Sequence, residues 1–134
     1  GNAQDFADDY SPTNRYGAST ISNQTRGFVG GGVHPSPTTI VKYVSKFELA
    51  SGGTATRYSD LSTTTRSKNG AGSPTRGVFA GGRSPADSDS SPSGPVNGIE
   101  YINMQTEGDA VDFGDLTQAR YEHCAFSNAH GGLG

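Results

Sequence analysis

The chain has 134 residues, of which only 31% are hydrophobic while 20 are glycine and 7 proline, so the most it can build is one domain with a thin apolar core. Its net charge is −3 with lysines and arginines scattered, which lacks the basic stripe that grips phosphates and argues against nucleic acid as a partner. No apolar stretch approaches the roughly 20 residues of a membrane span, so membrane insertion is not expected, and the single cysteine, Cys124, has no second thiol in the chain to pair with.

Taken in order, Gly1 to Arg15 holds Asp8-Asp9-Tyr10-Ser11-Pro12, which is turn chemistry. Tyr16 to Asn23 alternates weakly and predicts a strand leading into Thr25-Arg26-Gly27. Phe28-Val29 predicts a short inner strand, followed by Gly30-Gly31-Gly32, where backbones can approach with no Cβ in the way. His34-Pro35-Ser36-Pro37 reads as a loop, since neither proline can donate to a central ladder. Ile40 to Leu49 alternates and reads as the longest strand, ended by Ser51-Gly52-Gly53.

The programme then recurs. Ala55 to Leu61 predicts a strand and turn, Ser62 to Ser73 a polar strand and turn, and Gly77 to Gly82 a second glycine-flanked inner strand. Arg83 to Asn97 consists mostly of Ser, Pro, Asp and Gly and reads as a mobile surface loop, with Arg83, Asp87, Asp89 and Asn97 as candidate contact residues. Ile99 to Met104 is again a strand, and Tyr121 to Ser127 opens a further unit in which Cys124 reads as a small buried hydrophobe. No window has convincing helical spacing, so the expected fold is all-β.

Three landmarks carry the recurrence. Gly1–Arg15, Gly53–Arg66 and Gly108–Arg120 each hold an alanine, then an aromatic (Phe6, Tyr58, Phe113), then an aspartate (Asp8, Asp60, Asp115) and a closing arginine (Arg15, Arg66, Arg120), the aromatics lying 52 and 55 residues apart. Gln24–Gly31 matches Pro74–Gly81 at an offset of 50, aligning Arg26 with Arg76 and Gly31 with Gly81, which Gly82 follows. Val41-Lys42-Tyr43-Val44 is set against Ile99-Glu100-Tyr101-Ile102 at an offset of 58, aligning Tyr43 with Tyr101. Such spacing is that of arrays built from one small β unit per repeat. We divide the chain, as one repeat domain over 1–134, into a late half-repeat 1–23, a repeat 24–73, a repeat 74–127 with the loop insertion 83–97, and a partial strand 128–134.

The order of double glycine, Tyr-centred strand, aromatic before a turn, then arginine resembles a degenerate kelch repeat, and the strings Thr-Arg-Gly-Val-Phe-Ala-Gly-Gly, Ile-Glu-Tyr-Ile and Gly-Asp-Ala-Val-Asp-Phe-Gly-Asp-Leu-Thr resemble repeats in tail and appendage proteins of marine bacteriophages. The resemblance implies four-stranded propeller blades, a virion-surface or extracellular location and no catalytic residue. The first unit departs from the pattern at Ala7, Asp9 and Arg57.

Residue by residue, Asp5, Asp8, Asp60, Asp112 and Asp115 recur at matching places and are expected to cap turns; they lack the Asp-x-Asp-x-Asp-Gly spacing of a calcium loop. Arg15, Arg66, Arg120, Arg26 and Arg76 are expected to bind carbonyls or carboxylates between units. His123 and His130 near Cys124 offer too few soft ligands for zinc, and His34 reads as solvated. No Gly-x-Ser-x-Gly elbow exists, so no catalytic residue, metal or cofactor is expected. The functional expectation is a non-enzymatic structural or adhesive component of a virion appendage or fibre, the alternative being a carbohydrate-binding propeller that meets a host-surface glycan. Tyr16, Tyr43, Tyr101 and Tyr121 could offer aromatic faces to sugar rings there, although alternation puts Tyr43 and Tyr101 inside a sandwich. The landmarks begin and end mid-unit, which leads us to expect a homo-oligomer or a head-to-tail filament of complementary half-repeats, the third possibility being the terminal fragment of a longer array.

Overall fold

A computed structural model of the chain describes residues 1–10, 14–35, 38–84 and 94–128. Among these residues the fold is all-β without helices, and its strands form three antiparallel sheets, none closed into a barrel. The first sheet has the order β1 (Ser19–Ser22), β2 (Arg26–Gly30), β5 (Tyr43–Glu48), β6 (Thr56–Asp60). The second runs β7 (Asn69–Gly72), β8 (Arg76–Ala80), β9 (Gly98–Asn103), β10 (Val111–Asp115). A two-stranded ribbon of β3 (Val33–Pro35) and β4 (Thr38–Ile40) projects between β2 and β5.

The two larger sheets correspond pair by pair. Ser19 lies opposite Gly30 as Asn69 lies opposite Ala80, and Phe28 opposite Lys46 as Val78 lies opposite Tyr101. Each last strand carries a register shift that skips one aromatic, Tyr58 in the first sheet and Phe113 in the second. A bulge at the same place aims both rings out of the pleat. The turns between the first two strands also match: Asn23 Oδ1 accepts from the amides of Thr25 and Arg26, and Ser73 Oγ from those of Thr75 and Arg76. Short polar side chains that bond the backbone two and three residues on fix such turns.

The sheets stack face to face, with β1 against β7 and β8. The close approach requires glycine: a Cβ on Gly70 would lie 2.7 Å from the Thr20 carbonyl, one on Gly72 2.7 Å from the Ser22 carbonyl, and one on Gly77 would run into Ile21 Cδ1. Between the sheets lies a single buried cluster of Ile21, Phe28, Val44, Tyr58 and Leu61 from the first side and Phe79, Ile102 and Met104 from the second. Phe28 and Tyr58 meet edge to face at 4.9 Å, an arrangement that favours aromatic pairs beyond their buried area.

Three expectations need correction. His34 and Pro35 are not loop but strand, because β3 and β4 form a ribbon of only two strands and its free edge asks nothing of a proline. The strand expected over Ile40–Leu49 is split: Ile40 ends β4, the Val41 amide turns back to the Gly32 carbonyl at 2.9 Å, and β5 starts at Tyr43. The offset of 58 fails in register, since Tyr101 holds the place of Lys46, not of Tyr43. A five-residue shift between the matched strands exists, but the tyrosines mark different positions within them.

Prediction: Gly70→Val should destabilise the protein by about 1–3 kcal/mol, the cost of overpacking a tight contact. Gly98→Ala, where a Cβ meets nothing within 4 Å, should move the urea midpoint little.

Candidate functional site

The feature that recurs in this fold is the seam between successive units, whose hydrogen bonds repeat. The Ala55 amide donates to the Asp8 carbonyl at 2.8 Å, and the Ala110 amide to the Asp60 carbonyl at 2.8 Å. At the opposite end of the sheets Ser67 donates to the Gly17 carbonyl at 2.7 Å and Glu122 to the Ser67 carbonyl at 3.2 Å. Gly17, Ser67 and Glu122 all have positive φ, at 63°, 54° and 54°. For a serine and a glutamate that conformation is unusual, so the bond it aims must compensate the strain. Thus the N-terminal segment stands to the first sheet as the first stands to the second.

Side chains reinforce the seam. Tyr58 Oη donates to the Asn103 carbonyl at 2.8 Å, Asn23 Nδ2 to the Pro74 carbonyl at 3.0 Å, and Arg26 Nη1 to the Met104 carbonyl at 3.0 Å. Asp109 accepts from the Asp60 amide at 3.0 Å. Burial raises the pKa of the Tyr58 phenol, with the Arg26 charge opposing and the Glu107 charge adding to the rise. The buried pair Lys68–Glu100, 2.8 Å apart, also joins the sheets, since Glu100 Oε2 accepts from the Ser62 amide at 2.6 Å. Sequence reasoning missed this pair; an isolated Lys in a polar run and a Glu inside an apolar strand give no signal of meeting.

The three matched aromatics differ in burial. Tyr58 is 6% exposed, whereas Phe6 is 53% and Phe113 57% exposed. On the outer face of the second sheet Tyr101 stacks edge-on against Phe113 at 6.0 Å, and the Arg76 guanidinium lies 4.6 Å from the Tyr101 ring centre. Beside them a groove of about 260 Å³ runs between Val78, Phe113 and Phe126, the last 94% exposed. The expectation that Tyr101 packs inside a sandwich therefore fails, and Tyr43 too is half-buried, under Arg15 at 4.7 Å. Each ring offers its face to a guanidinium, an attraction to the ring quadrupole.

The arginines part company. Arg15 is the most completely held, bonded to Asp9, the Val29 and Tyr43 carbonyls and Ser45 Oγ, with its side chain 2% exposed. Arg66 contributes its backbone, pairing with Arg83, and Arg120 Nε donates within its own turn to the Gln118 carbonyl. Arg66 and Arg120 are not equivalent in space. The Arg120 carbonyl accepts from Gly82 as the Thr65 carbonyl accepts from Gly32, so Arg120 stands where Thr65 does. Gly31 and Gly81 mark the same approach, since a Cβ would lie 2.8 Å from the Thr65 carbonyl and 2.5 Å from that of Arg120.

Of the aspartates only Asp112 caps its own turn, accepting from Gly114 at 3.3 Å. Asp60 pairs with Arg57 and Lys42, Asp8 acts through its carbonyl, and Asp115 is paired by its backbone with Gly98. Arg83 and Asn97, expected in a mobile loop, are tied down: Arg83 bridges Arg66 and Pro95, and the Asn97 carbonyl accepts from Leu116 at 2.8 Å. Asp87 and Asp89 lie outside the described residues, as does His130. Cys124 is exposed rather than buried. His34 is not solvated alone; its Nε2 lies 2.8 Å from Tyr43 Oη. Among the described residues no three His, Cys, Asp or Glu side chains gather as a metal would require.

No family model and no curated protein matches the chain. Among solved structures it is similar to that of YjhT, with a TM-score of 0.73 and 14% identity over 89% of this chain and 38% of that one. At that identity the likeness is one of fold, and the chain spans 38% of the other's length.

Two predictions concern the seam. Lys68→Met should cost about 3–5 kcal/mol by leaving a buried carboxylate without its cation, and adding Glu100→Gln, which keeps an acceptor for Ser62, should restore most of it in a double-mutant cycle read by denaturant unfolding. Because the folded Tyr58 pKa is raised, the stabilisation it carries is complete below the ordinary phenol value of about 10 and disappears as pH rises through the folded value. One tyrosine should therefore ionise late in an absorbance titration, and Tyr58→Phe should flatten the alkaline loss of stability.

Proposed function

We propose that this chain is a non-enzymatic structural or adhesive building block, made of kelch-type propeller blades, from a virion appendage or extracellular fibre. The observation that carries the reading is the seam: two sheets of the same order and register stack so that the same hydrogen bonds occur twice, one unit apart. A unit whose one face fits the opposite face of the next is suited to adding further units, which is how arrays and rings grow. The buried charges support the same view, since Arg15, Arg26, Lys68 and Glu100 are all engaged in holding segments together. The sequence strings that resemble phage appendage repeats supply the setting.

A second reading, carbohydrate binding at a host surface, is favoured by the exposed Phe113 and Phe126 beside Arg76 and Tyr101, since sugar rings stack on such faces.

Prediction: gold-labelled antibody against the chain should decorate the appendages of purified particles that carry it. Label confined to the host cytosol would overturn the appendage reading, and saturable binding on a glycan array, lost in Phe113→Ala, would establish the second.

A further inference from the structure

We propose that the seam between the first and second sheets holds a binding pocket for a small neutral molecule rich in hydroxyl groups, a monosaccharide or polyol. The inference goes beyond the building-block reading and does not rest on it. A cavity of about 350 Å³ lies where β6 leaves for β7, lined by Ser62, Lys68, Gly98, Glu100 and Asp112, with Val96 and Ile99 as apolar wall. That volume is in the lower part of the range for small-ligand pockets, roughly 300–1,000 Å³.

The seam between the N-terminal segment and the first sheet shows what the same place looks like when filled. Strand register sets Tyr43 where Gly98 stands, Ser45 where Glu100 does and Arg57 where Asp112 does. Tyr10 follows Asp8 by two residues as Ser62 follows Asp60, and Arg15 precedes Gly17 by two as Thr65 precedes Ser67. In that earlier seam Tyr10 meets the Tyr43 ring edge-on at 5.6 Å, and the Arg15 and Arg57 guanidiniums lie 4.7 and 6.0 Å from its centre. In the later seam Ser62, Thr65 and Gly98 replace Tyr10, Arg15 and Tyr43, and a Cβ on Gly98 would meet nothing within 4 Å. Protein interiors are otherwise packed to the density of crystals. Three large side chains replaced by small ones at one spot therefore leave a chamber that nothing in the second sheet fills.

The charges change together with the shape. Ala18 follows Gly17 as Lys68 follows Ser67, so Lys68 and Glu100 take the places of Ala18 and Ser45. Their side chains are only 3% and 4% exposed and lie 2.8 Å apart. Lys68 thus brings to this seam the buried positive charge that Arg15 brings to the other, and Glu100 balances it. A second cation would be repelled by Lys68 and an anion by Glu100 and Asp112, which leaves a neutral ligand as the best match. A hydroxyl both donates and accepts, and an ammonium beside two carboxylates serves both needs. Among the described residues Glu100 is the one partner of the Lys68 ammonium, which keeps donors for a ligand oxygen. Val96 and Ile99 suit the C–H face of a sugar ring.

Titration of isotope-labelled chain with glucose, galactose and myo-inositol, followed by amide resonances, tests this. At least one of the three should shift the Ser62, Gly98 and Asp112 amides saturably and leave those of Tyr10 and Tyr43 in place. Gly98→Tyr restores the ring of the earlier seam and should weaken that binding about tenfold or more without lowering the urea midpoint, while Gly98→Ala should retain it. Should Gly98→Tyr fail to fold, Ser62→Tyr fills the chamber from the other sheet and is read in the same way. No shift with any of the three up to their solubility limits, or undiminished binding by a folded Gly98→Tyr chain, overturns the proposal. Shifts of the pocket amides with acetate or methylguanidinium alone also overturn it and assign the pocket to a charged ligand. Sugar-induced shifts confined to Phe113 and Phe126 overturn it too, and move carbohydrate to the outer face.

Discussion

Close approach of β1 to β7 is the constraint on which the rest of this structure depends. With few large apolar residues, the chain cannot fill a wide gap between sheets, so the sheets must touch nearly backbone to backbone. Gly70, Gly72 and Gly77 allow that approach: Ile21 occupies the space left at Gly70 and Gly77, and the Ser22 backbone that at Gly72. Only then do Phe28, Tyr58, Phe79, Ile102 and Met104 close into one dry cluster. A composition that looks too poor for a globular core thus suffices, because the core is one layer shared by two sheets.

The same stacking explains the polar architecture. Bringing sheets together buries main-chain groups at both ends of the strands, and each must find a partner. The amides of Ala55 and Ala110, and of Ser67 and Glu122, find theirs on the preceding unit. Tyr58, Asn23 and Arg26 reach across to carbonyls near the ends of the second sheet's strands and turns. Lys68 and Glu100 neutralise each other where neither can reach bulk water. Groups that elsewhere would suggest chemistry are here consumed in joining one unit to the next.

A seam of this kind has no natural end. The face that the first sheet presents to the second has its counterpart on the second sheet's far side, where Phe113 stands exposed in the role that Tyr58 fills when covered. Those two rings agree in strand, bulge and register and differ in burial.

The sequence by itself determined the class and the period. Alternating strands, glycine pairs and the absence of helical spacing suffice for an all-β fold, because those signals are local and each acts within a few residues. The recurrence of Ala, aromatic and Asp located the Asp8–Ala55 and Asp60–Ala110 contacts one unit apart. Only the tertiary structure decided register and partnership. Tyr43 and Tyr101 look alike in sequence yet occupy different rungs: β5 and β9 start at the same register point, and Tyr43 opens the one while Tyr101 stands three residues into the other. Arg66 and Arg120 differ for a similar reason, one residue of slip moving a side chain to another environment. The Lys68–Glu100 pair and the fit of Ile21 over Gly70 and Gly77 were invisible in the string, because each joins residues far apart in the chain whose approach is fixed by packing and not by any local pattern.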